Sequence, residues 1–161
     1  MPVSGLFRAS LLAVLALSSA SSSFAEKSKA PAIYRCVGFD EPVNRSPIQV
    51  NKGRVLPLRA KLAGENETYA DDSVLKAHPI VRVTFQPESG KEVDRTDEID
   101  VRDYGVGKSF VFDKEAHWKL DLGTLKFKEA GKYKAVLLSG DEAEYKVEPG
   151  CTVVFNLRLK E

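Results

Sequence analysis

Between Ile48 and Leu159 apolar and polar residues alternate in short runs. The runs are Ile48 and Val50; Val55, Leu56, Leu58, Ala60 and Leu62; Ile80, Val81, Val83 and Phe85; Phe110, Val111 and Phe112; Trp118, Leu120 and Leu122; Tyr133, Ala135, Val136, Leu137 and Leu138; and Val153, Phe155, Leu157 and Leu159. A period of two places alternate side chains on opposite faces of an extended chain, so each run predicts a strand with one buried face. About seven such strands in roughly 130 residues predict an all-β sandwich. No stretch sustains a helical period. Residues 66–77 have few apolar positions and are expected to form a long loop with at most one turn. Residues 88–107 are polar, carry Gly90, Gly105 and Gly107, and predict a long connection or an irregular edge hairpin. Pro57 lies within a strand-like run and cannot donate to a ladder, so an edge or a bulge, with the strand interrupted there, is expected.

Two aromatic positions sharpen this picture. From Leu125 to Tyr133 an apolar strand end is followed by a turn containing Gly131, and Tyr133 then opens the next strand. That arrangement resembles the tyrosine corner of immunoglobulin-like domains, in which the phenol bonds back to the upstream backbone. Trp118 alternates with Leu120 and Leu122 and is expected to plug the core. The fold class predicted is thus an immunoglobulin-like β-sandwich of about seven strands, with Tyr133, Trp118, Pro57 and Gly131 as its structural residues.

The N-terminal residues change where this domain is expected to work. Arg8 is the only charge before Glu26, an apolar run follows from Leu11 to Leu17, and a serine-rich stretch ends in Ser23-Phe24-Ala25. This is the layout of a signal peptide over residues 1–25, too short in its apolar part for the roughly 20 residues that span a bilayer. Residues 26–32 read as a flexible leader and residues 33–161 as one domain, exported to a periplasm or the extracellular space with no transmembrane segment after cleavage. Without Arg8, 23 of the 24 Lys and Arg remain against 23 Asp and Glu, a balance that gives no reason to expect nucleic acid. Cys36 and Cys151 would both enter an oxidising compartment. A disulfide between them, two free buried thiols, and reactive thiol chemistry are the three readings open at this point.

Further residues resemble a known family. Gly38 to Asn44, Lys52-Gly53, Leu56-Pro57-Leu58-Arg59-Ala60-Lys61-Leu62, His117-Trp118-Lys119 and Ala130-Gly131-Lys132-Tyr133 together are similar to the PxKF domain of extracytoplasmic bacterial proteins. Residues 57–60 occupy the naming Pro-x-Lys-Phe position, here Pro-Leu-Arg-Ala. The basic third residue is kept and the aromatic is lost. Tyr133 stands where the family has a cysteine after its Ala-Gly turn, so no family disulfide carries over. The resemblance implies a secreted β-sandwich without catalytic activity.

Candidate chemistry is sparse. A nucleophile needs an activating base, and His78 and His117 are the only histidines. Neither sits in a recognised signature, and each is expected to be solvated or structural. Asp94, Asp97, Asp100 and Asp103 recur every third residue, with Glu92 and Glu98 among them. Calcium takes six to eight oxygen ligands, which such a loop could supply, although the spacing lacks the alternating pattern of a dedicated calcium loop. A solvated acidic loop with Arg95 and Arg102 as internal partners is the other reading. No cofactor other than calcium is indicated. The leading expectation is a non-catalytic binding or structural module whose partner is an envelope or extracellular protein or glycan, contacted through the long loops at 63–77 and 88–107. A periplasmic protein inhibitor or chaperone acting through a sheet edge, and a small calcium-dependent hydrolase, are the alternatives.

Overall fold

The structure is a computed structural model and describes residues 29–159; the expected signal peptide lies outside them. Eleven strands run in order as β1 (Ala32–Phe39), β2 (Ile48–Asn51), β3 (Val55–Ala63), β4 (Ile80–Gln86), β5 (Val93–Asp94), β6 (Asp100–Val101), β7 (Val111–Phe112), β8 (Trp118–Gly123), β9 (Gly131–Leu138), β10 (Tyr145–Val147) and β11 (Thr152–Arg158). They form two sheets. One has the order β10-β1-β3-β8-β6, with β7 also on β8; the other has the order β2-β11-β9-β4-β5. Most ladders are antiparallel, whereas β1 with β10 and β2 with β11 are parallel. Two sheets packed face to face with these connections make an immunoglobulin-like β-sandwich.

The inner faces follow from the alternation. Leu56, Leu58, Ala60 and Leu62 of β3 and Trp118, Leu120 and Leu122 of β8 face Val81, Val83 and Phe85 of β4, Tyr133, Ala135 and Leu137 of β9, and Val153, Phe155 and Leu157 of β11, all buried in one core. Aromatic rings close the core at both ends of β4. Tyr133 packs on Phe127, Phe85 and Phe155 with centroids 4.7, 5.0 and 5.4 Å away, while Trp118 packs on Phe112 and His78 at 5.1 and 5.2 Å. The Tyr133 hydroxyl donates to the Glu129 carbonyl at 2.9 Å, which fastens the turn before β9. Burial pushes this phenol up to about 12. Gly131 has φ of +132°, and a side chain there would press on the Phe85 ring, which lies 3.1 Å from an added Cβ.

Four strands exceed the expected seven, and each has a reason for carrying no period-two signal. In β1 the buried residues Cys36 and Phe39 are three apart because the register against β3 shifts between them, where Gly38 has φ of +126°. β5, β6 and β10 have only two or three residues. The expected interruption at Pro57 is corrected: β3 runs unbroken from Val55 to Ala63. Pro57 stands opposite Asp121, whose N–H turns away from β3 to the Tyr104 carbonyl, so this pair exchanges no ladder hydrogen bonds. The missing donor therefore points toward the side where β1 has already ended, having paired only with residues 60–63.

Candidate functional site

Cys36 and Cys151 form a disulfide, with Cα atoms 5.4 Å apart and both residues buried. Cys36 belongs to the β1 sheet and Cys151 immediately precedes β11 of the other sheet, so the bond ties the two layers together. The backbone supports the same junction: the Cys36 N–H donates to Pro149 and the Leu137 N–H to Cys151.

The regularly spaced aspartates are distributed over both sheets. A 3₁₀ turn over Thr96–Glu98 and the buried Ile99 carry the chain from one sheet to the other, so Asp94 pairs with β4 while Asp100 pairs with β8. Asp94 accepts from the Thr96 N–H at 2.8 Å and lies 3.5 Å from Arg82; these contacts, Thr96 foremost, hold its carboxyl below the ordinary range. Asp100 pairs with Arg102 at 2.7 Å, and Asp97 and Asp103 are exposed. Glu92, bound by Lys134 at 2.7 Å and by Gln86 and Thr84, is held down to about 2. Asp94 and Asp100 thus each face an arginine, on different sheets.

Among the described residues, Asp113, Glu115 and His117 are the group of three possible metal ligands whose donor atoms lie within 4.8 Å of one another. Of the three, Asp113 is the one already engaged by protein groups, while His117 Nδ1 is buried without a hydrogen-bond partner among the described residues. Asp113 Oδ1 accepts from the Glu115 and His117 N–H groups at 2.9 Å each, and its other oxygen holds the Lys119 ammonium, which is also 3.7 Å from Glu115. The His117 Nε2 lies 2.9 Å from an Asp40 carboxylate oxygen. Beside this cluster Arg59 of β3 pairs with Asp121 of β8 at 2.8 Å, and the Arg59 guanidinium and Lys119 ammonium lie 4.9 and 5.2 Å from the Tyr104 ring centre. This layer is a cross-linked electrostatic roof over β3 and β8. His78 is likewise committed, its Nδ1–H donating to the Phe110 carbonyl at 3.0 Å. Neither histidine has a hydroxyl or thiol among these partners.

The roof makes stability sensitive to acid. Burial alone would raise the Asp113 carboxyl, but Lys119 and the two N–H groups outweigh it and hold the group below its ordinary 3.8, while Asp113 raises Lys119 in turn. A carboxyl depressed in the folded state stabilises above its unfolded value and loses that contribution as pH falls through the folded one. Urea midpoints should therefore fall more steeply below about pH 4 for the wild type than for Asp113→Asn. Parallel curves would remove Asp113 from the account.

An open groove of about 350 Å³ lies between the start of β1 and the loop of residues 64–74. Its wall is apolar and unusually accessible: Ile33 is 58% exposed, Val74 52% and Tyr69 43%, with Tyr34 half-buried at the base. The loop is fixed at many points. Tyr69 bridges to Ala63, the Ala70 N–H donates to Leu62, the Trp118 indole N–H donates to the Ala70 carbonyl at 3.0 Å, and Leu75 is buried. Asp71 accepts from the Ser73 hydroxyl and from the Ser73 and Val74 N–H groups, contacts led by the hydroxyl that lower its carboxyl. Further along, the Glu144 carboxylate accepts from the Lys76 and Ala77 N–H groups, and the Tyr145 hydroxyl donates to Ala77. Gly64 lets the loop close over Tyr34, whose ring lies 3.2 Å from an added Cβ. The sequence named this loop as a contact surface but not the β1 residues that complete the groove.

No family model matches this chain. No curated protein matches it either. Among solved structures it is similar to a chimeric titin Z1Z2 carrying a KLER peptide from decorin, at 14% identity and a TM-score of 0.35 over 79% of this chain and 96% of that one. Murine CRIg is similar at 10% identity and a TM-score of 0.36, over 76% and 97% of the two chains. The fold class rests on the chain's own two-sheet topology.

Proposed function

We propose that this protein is an exported, non-catalytic binding module and that the groove between β1 and the 64–74 loop is its contact surface. The observation that carries this reading is the combination of exposed Ile33, Tyr69 and Val74 with a loop whose backbone is tied to the core. Exposed apolar side chains on a mobile loop would cost ordering entropy on binding, whereas here that ordering precedes the partner. The commitment of His78 to a backbone hydrogen bond and the lack of a hydroxyl or thiol beside either histidine's recorded contacts support a non-catalytic role. The buried disulfide is compatible with an oxidising compartment, and no helix among the described residues is long and apolar enough to cross a membrane. The resemblance to the PxKF domain points the same way.

Capture from an envelope or secretome extract tests the assignment, with the exported oxidised protein as bait and the Tyr69→Ser/Val74→Ser variant beside it. The variant is expected to lose most of the specifically retained partner while unfolding at nearly the same temperature, because both side chains are largely in solvent. Equal capture by the two baits would move the contact surface elsewhere.

A further inference from the structure

We infer that the groove receives an extended, lysine- or arginine-bearing peptide segment of a partner, which pairs as a short strand with the free edge of β1 at Ile33. This inference rests on the groove being the contact surface. Three independent features lead to it.

The first is an unpaired backbone edge. β1 and β10 pair in parallel, with the Ala32 N–H donating to Glu144 and the Glu148 N–H to Tyr34. Successive residues of a strand direct their backbone groups to opposite sides, so those of Ile33 point away from β10. On that side β3 has ended: its pairing with β1 starts at Arg35 opposite Ala63, and the chain then leaves through Gly64, whose N–H turns to Thr68. Among the described residues no backbone group pairs with the Ile33 N–H or C=O. A strand laid where β3 would have continued meets one donor and one acceptor already set in extended geometry.

The second feature is what lies beside that edge. Ile33, Tyr34, Tyr69 and Val74 line the groove along the same path, so alternate side chains of an added strand would find apolar contacts. Edges of this kind are normally blunted by charge, proline or covering structure. Here Pro31 and Arg35 bound the edge, and Ile33 between them is left open.

The third feature selects the charge of the occupant. Among the described residues, the loop from 64 to 75 carries Glu65, Glu67, Asp71 and Asp72 and no basic residue. Glu67 is engaged by Arg35 at 3.0 Å and Asp71 by its own turn, and the Lys61 ammonium lies 5.2 Å from the Tyr69 ring centre; among the described residues Glu65, which lines the groove, and Asp72 have no ion-pair partner. A basic side chain placed at the Glu65 end complements the one charged residue lining the groove, an effect that acts mainly through encounter rate and selectivity.

The test uses the oxidised exported protein and labelled synthetic peptides of about seven residues with Val, Leu, Ile, Phe or Tyr at alternate positions and Lys or Arg between them, followed by fluorescence anisotropy. Members of this set are expected to bind saturably. Replacing the basic residues by Glu should weaken binding at least about threefold, and N-methylation of the central amide about tenfold, the loss expected for one well-placed hydrogen bond. Tyr69→Ala should cost about tenfold, as loss of an aromatic anchor does. Absence of saturable binding up to about 1 mM across the set, or equal binding of the N-methylated or Glu peptides, overturns the inference. If groove-dependent capture from the extract persists in that case, the binding-module reading stands and the strand does not. Peptide binding that appears only after residues 26–31 are deleted would assign the groove to the chain's own leader, and a dimer abolished by Tyr69→Ala would assign it to a second copy; either result also overturns the partner segment.

Discussion

Replacing Cys36 and Cys151 together by serine is expected to lower the unfolding free energy by about 3 to 5 kcal/mol and to weaken groove-dependent binding at the same time. The bond joins residues 115 apart in sequence, from the first long strand to the residue just before the last. Closing a loop of that size restricts the unfolded chain by roughly 4 to 5 kcal/mol in the chain-entropy model, and native disulfides of secreted domains are usually worth ~2 to 5 kcal/mol. The local structure gives little substitute. Upstream of the bulge β1 has only a three-residue parallel ladder to β10 and two paired positions on β3. Since Ile33 and Tyr34 belong to that stretch, releasing it removes one wall of the groove. Urea titrations of the oxidised protein and the double serine variant, with peptide binding on the same samples, measure both effects. A stability loss below about 1 kcal/mol would mean that the sheets hold β1 without the covalent link.

How far the sequence reached depended on whether one period governed the residues concerned. β3, β8, β9 and β11 are continuous strands with one face fully buried, so their alternation was legible and with it the sandwich. β1 was not, because the bulge at Gly38 places its two core residues three apart. Pro57 was read as a break from its own chemistry, yet the deciding factor is its neighbour: where β1 stops short, a residue without a donor costs nothing on that side. The aspartate series was dispersed for a related reason. Regular spacing implies a common face only within one element, and the turn at Thr96–Glu98 moves the chain between sheets. The groove combines a strand start with a loop of irregular apolar spacing, so no local pattern announced it. Only the loop's position in the chain was available, and that half of the site was named.

Trp118→Ala is expected to destabilise the protein by about 3 to 5 kcal/mol, the usual cost of deleting a large buried aromatic, and Trp118→Phe by a smaller amount with a different signature. Trp118 is fully buried in the core and touches Phe112 and His78. It also does something that Phe cannot: its indole N–H donates to the Ala70 carbonyl at 3.0 Å, across from β8 to the loop that forms the groove. Phenylalanine keeps much of the ring packing but leaves that carbonyl without its donor, a loss of about 1 to 3 kcal/mol when the group stays buried. The loop can relieve this cost by moving the carbonyl toward water. Hydrogen exchange should then quicken at Ala70 and Leu75, whose N–H groups donate to Leu62 and Asp71, more than in β9 and β11. Affinity for the basic peptides should fall further in Trp118→Phe than the exposed-surface chemistry alone predicts, since the ordering of the loop would be charged to binding. A variant that lost stability with uniform exchange and unchanged affinity would place Trp118 in the core only. A local loss at the loop would instead make this one indole the link between the packing of the sandwich and the shape of its contact surface.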